Sequence, residues 1–238
     1  MCDTCGCHIG DDEKNTQVID VHESLLAANT KQAEENRKHF ETMGSIAINL
    51  ISSPGSGKTT LLEQTIRNLR NEFNIAVIEG DIETERDADR IRKQGAPAVQ
   101  ITTGGACHLD ARLVHKGLHQ LQHEHESQNF DIIFIENVGN LVCPATFDLG
   151  EHERIVLISV PEGSDKPAKY PKAFTSSQSF LITKTDLLPY FDFSVQEARE
   201  EALKLNPELK ILELSATSGN GLNAWFDYLR QLKKVIIS

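Results

Sequence analysis

The 238-residue chain is acidic, with 24 lysines and arginines against 35 aspartates and glutamates and a formal charge of −11. That balance, without any dense basic cluster, argues against nucleic acid as a partner, and no apolar stretch approaches the ~20 residues a membrane span needs. With no hydrophobic signal region after Met1-Cys2-Asp3-Thr4-Cys5, the expectation is a cytoplasmic protein whose five cysteines are ligands or reactive thiols rather than disulfide partners.

Residues 1 to about 20 carry three cysteines, several acids and only isolated apolar residues, too few to build a core, and read as a mobile tail. Cys2, Cys5 and Cys7 lie close enough for one ion, with Gly6 permitting a tight turn. Adding the nearby terminal amine gives an S₃N donor set that suits planar Ni²⁺, although tetrahedral Zn²⁺ can also use it. His8 can join or replace a donor. Over 21–43, Leu25, Leu26, Ala27, Ala28 and Ala33 among polar residues predict one amphipathic connector helix.

From residue 44 to 238 apolar strands alternate with helical patterns. Strands are expected over 46–51, 75–79, 98–102, 132–136, 155–160, 180–183 and 211–214, and helices over 59–70, 83–94, 108–125, 194–205 and 222–234. The alternation predicts an α/β fold with a mostly parallel sheet covered on both faces, in which ligands bind beyond the carboxyl ends of the strands.

The first strand runs into Ser52-Ser53-Pro54-Gly55-Ser56-Gly57-Lys58-Thr59-Thr60, a phosphate-binding loop whose Ser52 stands at the first Gly of the general pattern. Backbone N–H groups from Gly55 to Thr60 cradle phosphates there, Lys58 lies along the β- and γ-phosphates, and Thr59 holds Mg²⁺. Glu79-Gly80-Asp81 ends the next strand and places Asp81 near Mg²⁺ or the attacking water. Cys107-His108 follows the third strand, and Cys143 lies four residues after Gly139; together these form an incomplete shell for Zn²⁺ or Ni²⁺ that a second subunit around a two-fold axis would complete. His115, His119, His123 and His125 read as a solvated helix face.

Glu136 ends a further strand and reaches Mg²⁺ through water, while Gly139 offers its amide to the γ-phosphate, so that the segment from Asn137 to about Pro144 is ordered by GTP and released on hydrolysis. Because Cys143 belongs to that segment, the metal shell should feel the nucleotide state. In Thr183-Lys184-Thr185-Asp186, Asp186 accepts from the N1–H and N2–H₂ of guanine, Lys184 packs its stem on the base, and backbone N–H groups at Ser215-Ala216 meet O6. GTP is therefore the expected nucleotide. No residue announces itself as an inserted arginine finger, although Arg86 and Arg112 are candidates within the chain.

Taken together, Cys-x-x-Cys-Gly-Cys, Ser-Pro-Gly-Ser-Gly-Lys-Thr-Thr, Glu-Gly-Asp, Cys-His, Glu-Asn-Val-Gly-Asn-Leu-Val-Cys-Pro and Thr-Lys-Thr-Asp resemble the HypB family of hydrogenase nickel-incorporation GTPases, of the SIMIBI P-loop class. The resemblance covers nearly the whole chain. It implies a dimerising metallochaperone that hydrolyses GTP to GDP and phosphate and loads nickel into the large subunit of [NiFe]-hydrogenase. It also implies a HypA-like nickel- and zinc-binding accessory protein as partner. By that similarity Cys2, Cys5 and Cys7 map to a tight nickel site, and Cys107, His108 and Cys143 to a regulated metal site. Thr183 takes the place of the usual Asn of Asn-Lys-x-Asp, so a weaker tie to the phosphate loop is expected. The long histidine tract of some family members is absent.

Overall fold

The computed structural model describes residues 11–81, 86–126 and 128–236, with side chains from residue 25 onward. Seven strands form one sheet: β1 (Ile46–Ser52), β2 (Ile75–Asp81), β3 (Ala98–Thr102), β4 (Ile132–Glu136), β5 (Glu153–Ser159), β6 (Ser179–Thr183) and β7 (Lys210–Glu213). Their order is β3-β2-β4-β1-β5-β6-β7, and every pairing is parallel. All seven carboxyl ends therefore lie on one edge.

The helices are α1 (Asp11–Thr42), α2 (Lys58–Leu69), α3 (Arg86–Lys93), α4 (Ala111–Glu124), α5 (Lys166–Lys169), α6 (Pro171–Thr175), α7 (Val195–Leu205) and α8 (Leu222–Ile236). Side-chain alternation along β1 shows how they cover the sheet. Ile46, Ile48 and Leu50 pack with Leu61, Leu62 and Ile66 of α2 and with Trp225 and Leu229 of α8. Ala47 points the other way and joins Phe40 of α1 with Val114, Leu118 and Leu121 of α4. From β5 outward, Val156 and Ile158 continue that second layer with Phe174 of α6 and Ala198 of α7. A central strand buried on both faces has no polar alternation, which is why β1 reads as a continuous apolar run.

The predicted connector helix over 21–43 differs in extent and in role. It begins at Asp11, ten residues before the start the sequence suggests, with no Gly or Pro between Asp11 and Thr42 to interrupt it and acidic residues at its first turn. Its second half is part of the folded domain. Ala33, Asn36 and Phe40 are fully buried; Asn36 donates through Nδ2 to the carbonyls of Ala111 and Leu149 at 2.8 and 3.0 Å. Asn29 accepts from Ala111 N at 2.9 Å and donates to the carbonyl of Asp148 at 2.8 Å. α4 starts at Ala111 rather than at His108, because Asp110 caps it by accepting from Leu113 N, which leaves Cys107-His108 in a loop.

His152 fastens the entrance of β1, its Nδ1 accepting from Ala47 N at 3.0 Å while its backbone N–H donates to Ala47 O at 2.9 Å. Burial holds its ring below the ordinary 6.5 despite the nearby Glu41 carboxylate. A histidine lowered in the folded state binds fewer protons than in the unfolded chain, so its contribution is complete above pH 6.5 and is lost on acidification through the window below it. His152→Ala should cost about 1–3 kcal/mol at pH 7.5 by leaving Ala47 N–H unpaired. It should also flatten the fall in stability between pH 6.5 and 5.5 measured by urea denaturation; an unchanged midpoint at pH 7.5 would show that the bond contributes nothing.

Candidate nucleotide and metal site

The carboxyl ends of β1, β2 and β4 open into a cleft of about 460 Å³ lined by Pro54, Gly55, Gly57, Lys58, Thr59, Thr60, Glu79, Asp81, Asp87, Arg90, Glu136, Asn137, Val138, Gly139 and Lys184. The loop from Ser52 to Gly57 turns through left-handed glycines, Gly55 at φ 76° and Gly57 at φ 96°, the second directly before α2, so the helix N-terminus faces the cleft. Ser52 organises this loop from below. Its hydroxyl accepts from Lys58 Nζ at 2.9 Å and from Ser56 Oγ at 2.5 Å, and donates to Ser53 O. A side-chain oxygen at the position of the first Gly therefore orients the lysine along the loop.

Opposite Lys58 stand two carboxylates. Thr59 Oγ1 donates to Glu136 Oε1 at 2.7 Å, and β2–β4 register sets Glu79 directly beside Glu136. Both are buried, and Oε2 of each has no protein partner. Burial, then the Glu136 charge, raises the Glu79 carboxyl well above the usual carboxylate range. Glu136 is raised by burial and held back chiefly by Lys58. The sequence motif drew attention to Asp81, which does line the cleft; Glu79 shows its place only once the register of β2 against β4 is known. Arg90 is a further cation of the cleft, beside Lys58 and Lys184. It donates to Thr60 Oγ1 at 3.2 Å, to Glu63 Oε2 at 2.7 Å and to Asp87 Oδ1 at 2.9 Å, whereas Arg86 and Arg112, the arginines singled out in the sequence, do not line it.

The motifs expected to receive guanine sit next to the phosphate loop. Thr183, expected to tie more weakly than an Asn, donates its hydroxyl to Ser56 O at 2.7 Å, so the tie is made. Lys184 adopts a left-handed backbone at φ 57°, rare for a side chain of this size. Its Nζ donates to Gly55 O at 2.6 Å, and its stem passes over Gly57. Asp186 follows in a 3₁₀ turn (Thr185–Tyr190). Thr185 N donates to Leu214 O, which joins this turn to the loop carrying the buried Ser215 and its neighbour Ala216. Asp186, Ser215 and Ala216 lie outside the lining of the phosphate cleft, with Lys184 linking the two regions.

Cys107, His108 and Cys143 are brought together, each with a ligand atom within 4.8 Å of the others. Cys107 Sγ lies 3.9 Å from His108 Nδ1, and the imidazole stacks on Phe147 with centroids 4.2 Å apart. Burial lowers the His108 value, so a neutral ring is available as a ligand, and the Cys107 thiol beside it raises Cys143. Cys2, Cys5, Cys7 and His8 lie outside the described residues.

One short segment joins cleft and cluster. Asn137, buried at the end of β4, accepts at Oδ1 from Leu109 N at 3.1 Å. Asn140 pairs with Ser52 in an isolated antiparallel bridge and donates through Nδ2 to Cys107 O at 3.4 Å. Gly139 between them leaves no room for a side chain: a Cβ there would lie 2.9 Å from Cα and Cγ of Pro54. On the other strand end, a Cβ on Gly80 would lie 2.6 Å from Leu109 Cγ, so Glu79-Gly80-Asp81 is a glutamate and an aspartate separated by the seat of Leu109.

The expected solvated face of α4 is only partly found. His119 and His123 are exposed, but His115 is half-buried and meets His39 of α1. Sequence spacing within α4 gives no sign of His39, which comes from another helix.

A parallel sheet with a lysine-bearing phosphate loop at β1, acidic strand ends at β2 and β4, and a Thr-Lys-Thr-Asp exit at β6 defines a P-loop GTPase. The family model for the CobW/HypB/UreG nucleotide-binding domain matches residues 46–213. The hydrogenase maturation factor HypB of Azotobacter chroococcum mcd 1 is 46% identical over 216 residues, covering 91% of this chain and 70% of that protein. HypB from Helicobacter pylori, solved in complex with nickel, superposes with a TM-score of 0.83 at 42% identity, covering 87% of this chain and 95% of that one. The Archaeoglobus fulgidus HypB structure gives 0.80 at 38% identity, covering 87% of this chain and all of that one (100%). The chain belongs to the HypB family.

Gly139→Ala should force Pro54 or the 137–143 segment to shift; overpacking of this kind costs about 1–3 kcal/mol. The expected result is GTP binding weakened about tenfold or more, read by titration with a fluorescent GTP analogue. Wild-type affinity in this variant would show that the segment yields freely.

Proposed function

We propose that this protein is a GTP-hydrolysing nickel metallochaperone that delivers nickel to the large subunit of [NiFe]-hydrogenase, with its nucleotide state coupled to metal binding and to dimerisation. The observation that carries the reading is the 137–143 segment, which rests on Pro54 of the phosphate loop at Gly139 and touches the Cys107 loop through Asn137 and Asn140. The names of the similar proteins, hydrogenase maturation factors and a HypB crystallised with nickel, support the choice of cargo.

In this reading Gly55, Ser56, Gly57, Lys58, Thr59 and Thr60 hold the phosphates, Gly139 donates its amide to the γ-phosphate, and Lys184, Asp186, Ser215 and Ala216 receive guanine. The residues present fit Mg²⁺: Thr59 offers a hydroxyl, and buried oxygens of Glu136 and Glu79 lie beside it with Oε2 unpartnered. When bound, that ion neutralises charge on the β- and γ-phosphates. Lys58 adds a second positive charge on the same oxygens, Asp81 orients the attacking water, and Glu136 fixes the Thr59 hydroxyl. Arg90, held by Glu63 and Asp87, supplies a cation at the cleft wall without an inserted finger.

Cys107, His108 and Cys143 take nickel, or zinc in its stead, as a soft three-donor set whose remaining positions come from the same loops of a second subunit. Cys2, Cys5 and Cys7 form the tighter nickel site. A HypA-like accessory protein and the hydrogenase large subunit are the partners, and the cytoplasm is the setting; among the described residues no helix is long and apolar enough to cross a membrane.

Lys58→Ala should reduce GTP hydrolysis by about 100-fold or more, the scale of losing one charge-stabilising donor. Phosphate release measured at equal rates for this variant and wild type would remove the enzymatic claim. Nickel affinity of the Cys107 site should differ about 5- to 150-fold between GDP and a non-hydrolysable GTP analogue, as typical couplings do. Asn140→Ala should shrink that ratio in equilibrium dialysis, and identical affinities with both nucleotides in the wild type would refute the coupling.

A further inference from the structure

The seam between α1 and α4 holds a second cluster of donors. His39 of α1 and His115 and His119 of α4 each present a ring nitrogen within 4.8 Å of the others. His115 and His119 are four residues apart, one helical turn, the spacing by which two imidazoles on one helix grip a single ion. Their Nε2 atoms are 3.1 Å apart. Two ligands of a tetrahedral ion at about 2.0–2.1 Å are separated by about 3.4 Å, so this pair is close to ligand spacing, and the third ring, within 4.8 Å, closes the set by a small movement.

From this geometry we propose that His39, His115 and His119 form a third metal site, taking a divalent transition ion that prefers imidazole nitrogen, Ni²⁺ or Zn²⁺. Two further observations point to a ligand. The other ring nitrogen of His115, Nδ1, is buried with no protein partner, so beyond its hydrogen bond with His119 the ring completes no protein network. Gln122 hydrogen-bonds His39, the kind of outer partner that fixes a ligating ring. Three imidazole nitrogens without thiolate hold an ion more weakly than the cysteine sites and leave a fourth position open. Such a site exchanges its ion with water or with an incoming donor instead of enclosing it.

Its location gives it a second effect. The seam it would clamp is the one where Asn29 and Asn36 hold Ala111, three residues after His108. An ion there ties the first turns of α4, and the Cys107-His108 loop before them, to α1.

The test is made on the full chain with all five cysteines replaced by serine, so that sulfur sites do not compete. Isothermal titration with Ni²⁺ and with Zn²⁺ should show one ion per chain, and His119→Ala in the same background should weaken uptake at least tenfold. His39→Gln should do the same, with circular dichroism confirming that both variants keep their helix content. GTP hydrolysis by the otherwise wild-type protein carrying His119→Ala should remain at the wild-type rate. The site is refuted if the cysteine-free chain takes up neither ion below millimolar concentration, or if either histidine substitution leaves uptake unchanged.

Discussion

Contact between Gly139 and Pro54 is the constraint on which the rest of the site depends. Because the two backbones touch with no side chain between them, the segment leaving β4 cannot move independently of the phosphate loop. Two residues earlier, the Asn137 carboxamide holds Leu109 N–H, and one residue later Asn140 reaches Cys107 O. Leu109 is in turn seated on Gly80, between the two acids that end β2. Phosphate loop, acidic strand ends and thiol loop are thus joined by a continuous set of contacts, the physical basis of the coupling proposed above.

Parallel topology makes this possible. Every strand delivers its last residue to the same edge, so Ser52, Asp81, Thr102, Glu136 and Thr183, far apart in sequence, meet there. The cost is that buried charges accumulate. Glu79 and Glu136 lie side by side in adjacent strands with Lys58 as the nearest cation, an arrangement poor for stability by itself but suited to holding a divalent ion.

Much of this was legible in the chain. Six of the seven strands show as apolar runs because they are largely buried, whereas the edge strand β7 is exposed to half-buried; β5 and β6 read short at their starts because Glu153 and Arg154 are charged and Ser179 is polar, and Glu153 and Ser179 are buried and hydrogen-bonded to each other and to Tyr228. The phosphate loop and the Cys107, His108 and Cys143 trio follow from local motifs at strand ends. What stayed hidden depends on register or on contacts between distant segments. Glu79 is one more residue of a strand until β2 is aligned with β4, Arg90 one more helical arginine until α3 packs on α2, and His39 has no sequence neighbour that marks it. α5 and α6 are single turns opened by Pro167 and Pro171, too short for any periodicity. Thr183, where the sequence suggests a weaker tie than Asn would make, does reach the phosphate loop through one hydroxyl bond of 2.7 Å to Ser56 O.

The bonds from Thr183 and Lys184 to the phosphate loop make the two halves of the pocket one rigid caliper. With Lys184 locked in a backbone conformation few side chains accept, the jaws are set at a fixed gauge before any ligand arrives. With Asp186 and its neighbours receiving the base as proposed, a ligand is sorted by length as well as by chemistry: a nucleoside without its phosphates fills one jaw, a bare polyphosphate the other, and only a molecule spanning both collects the full binding energy.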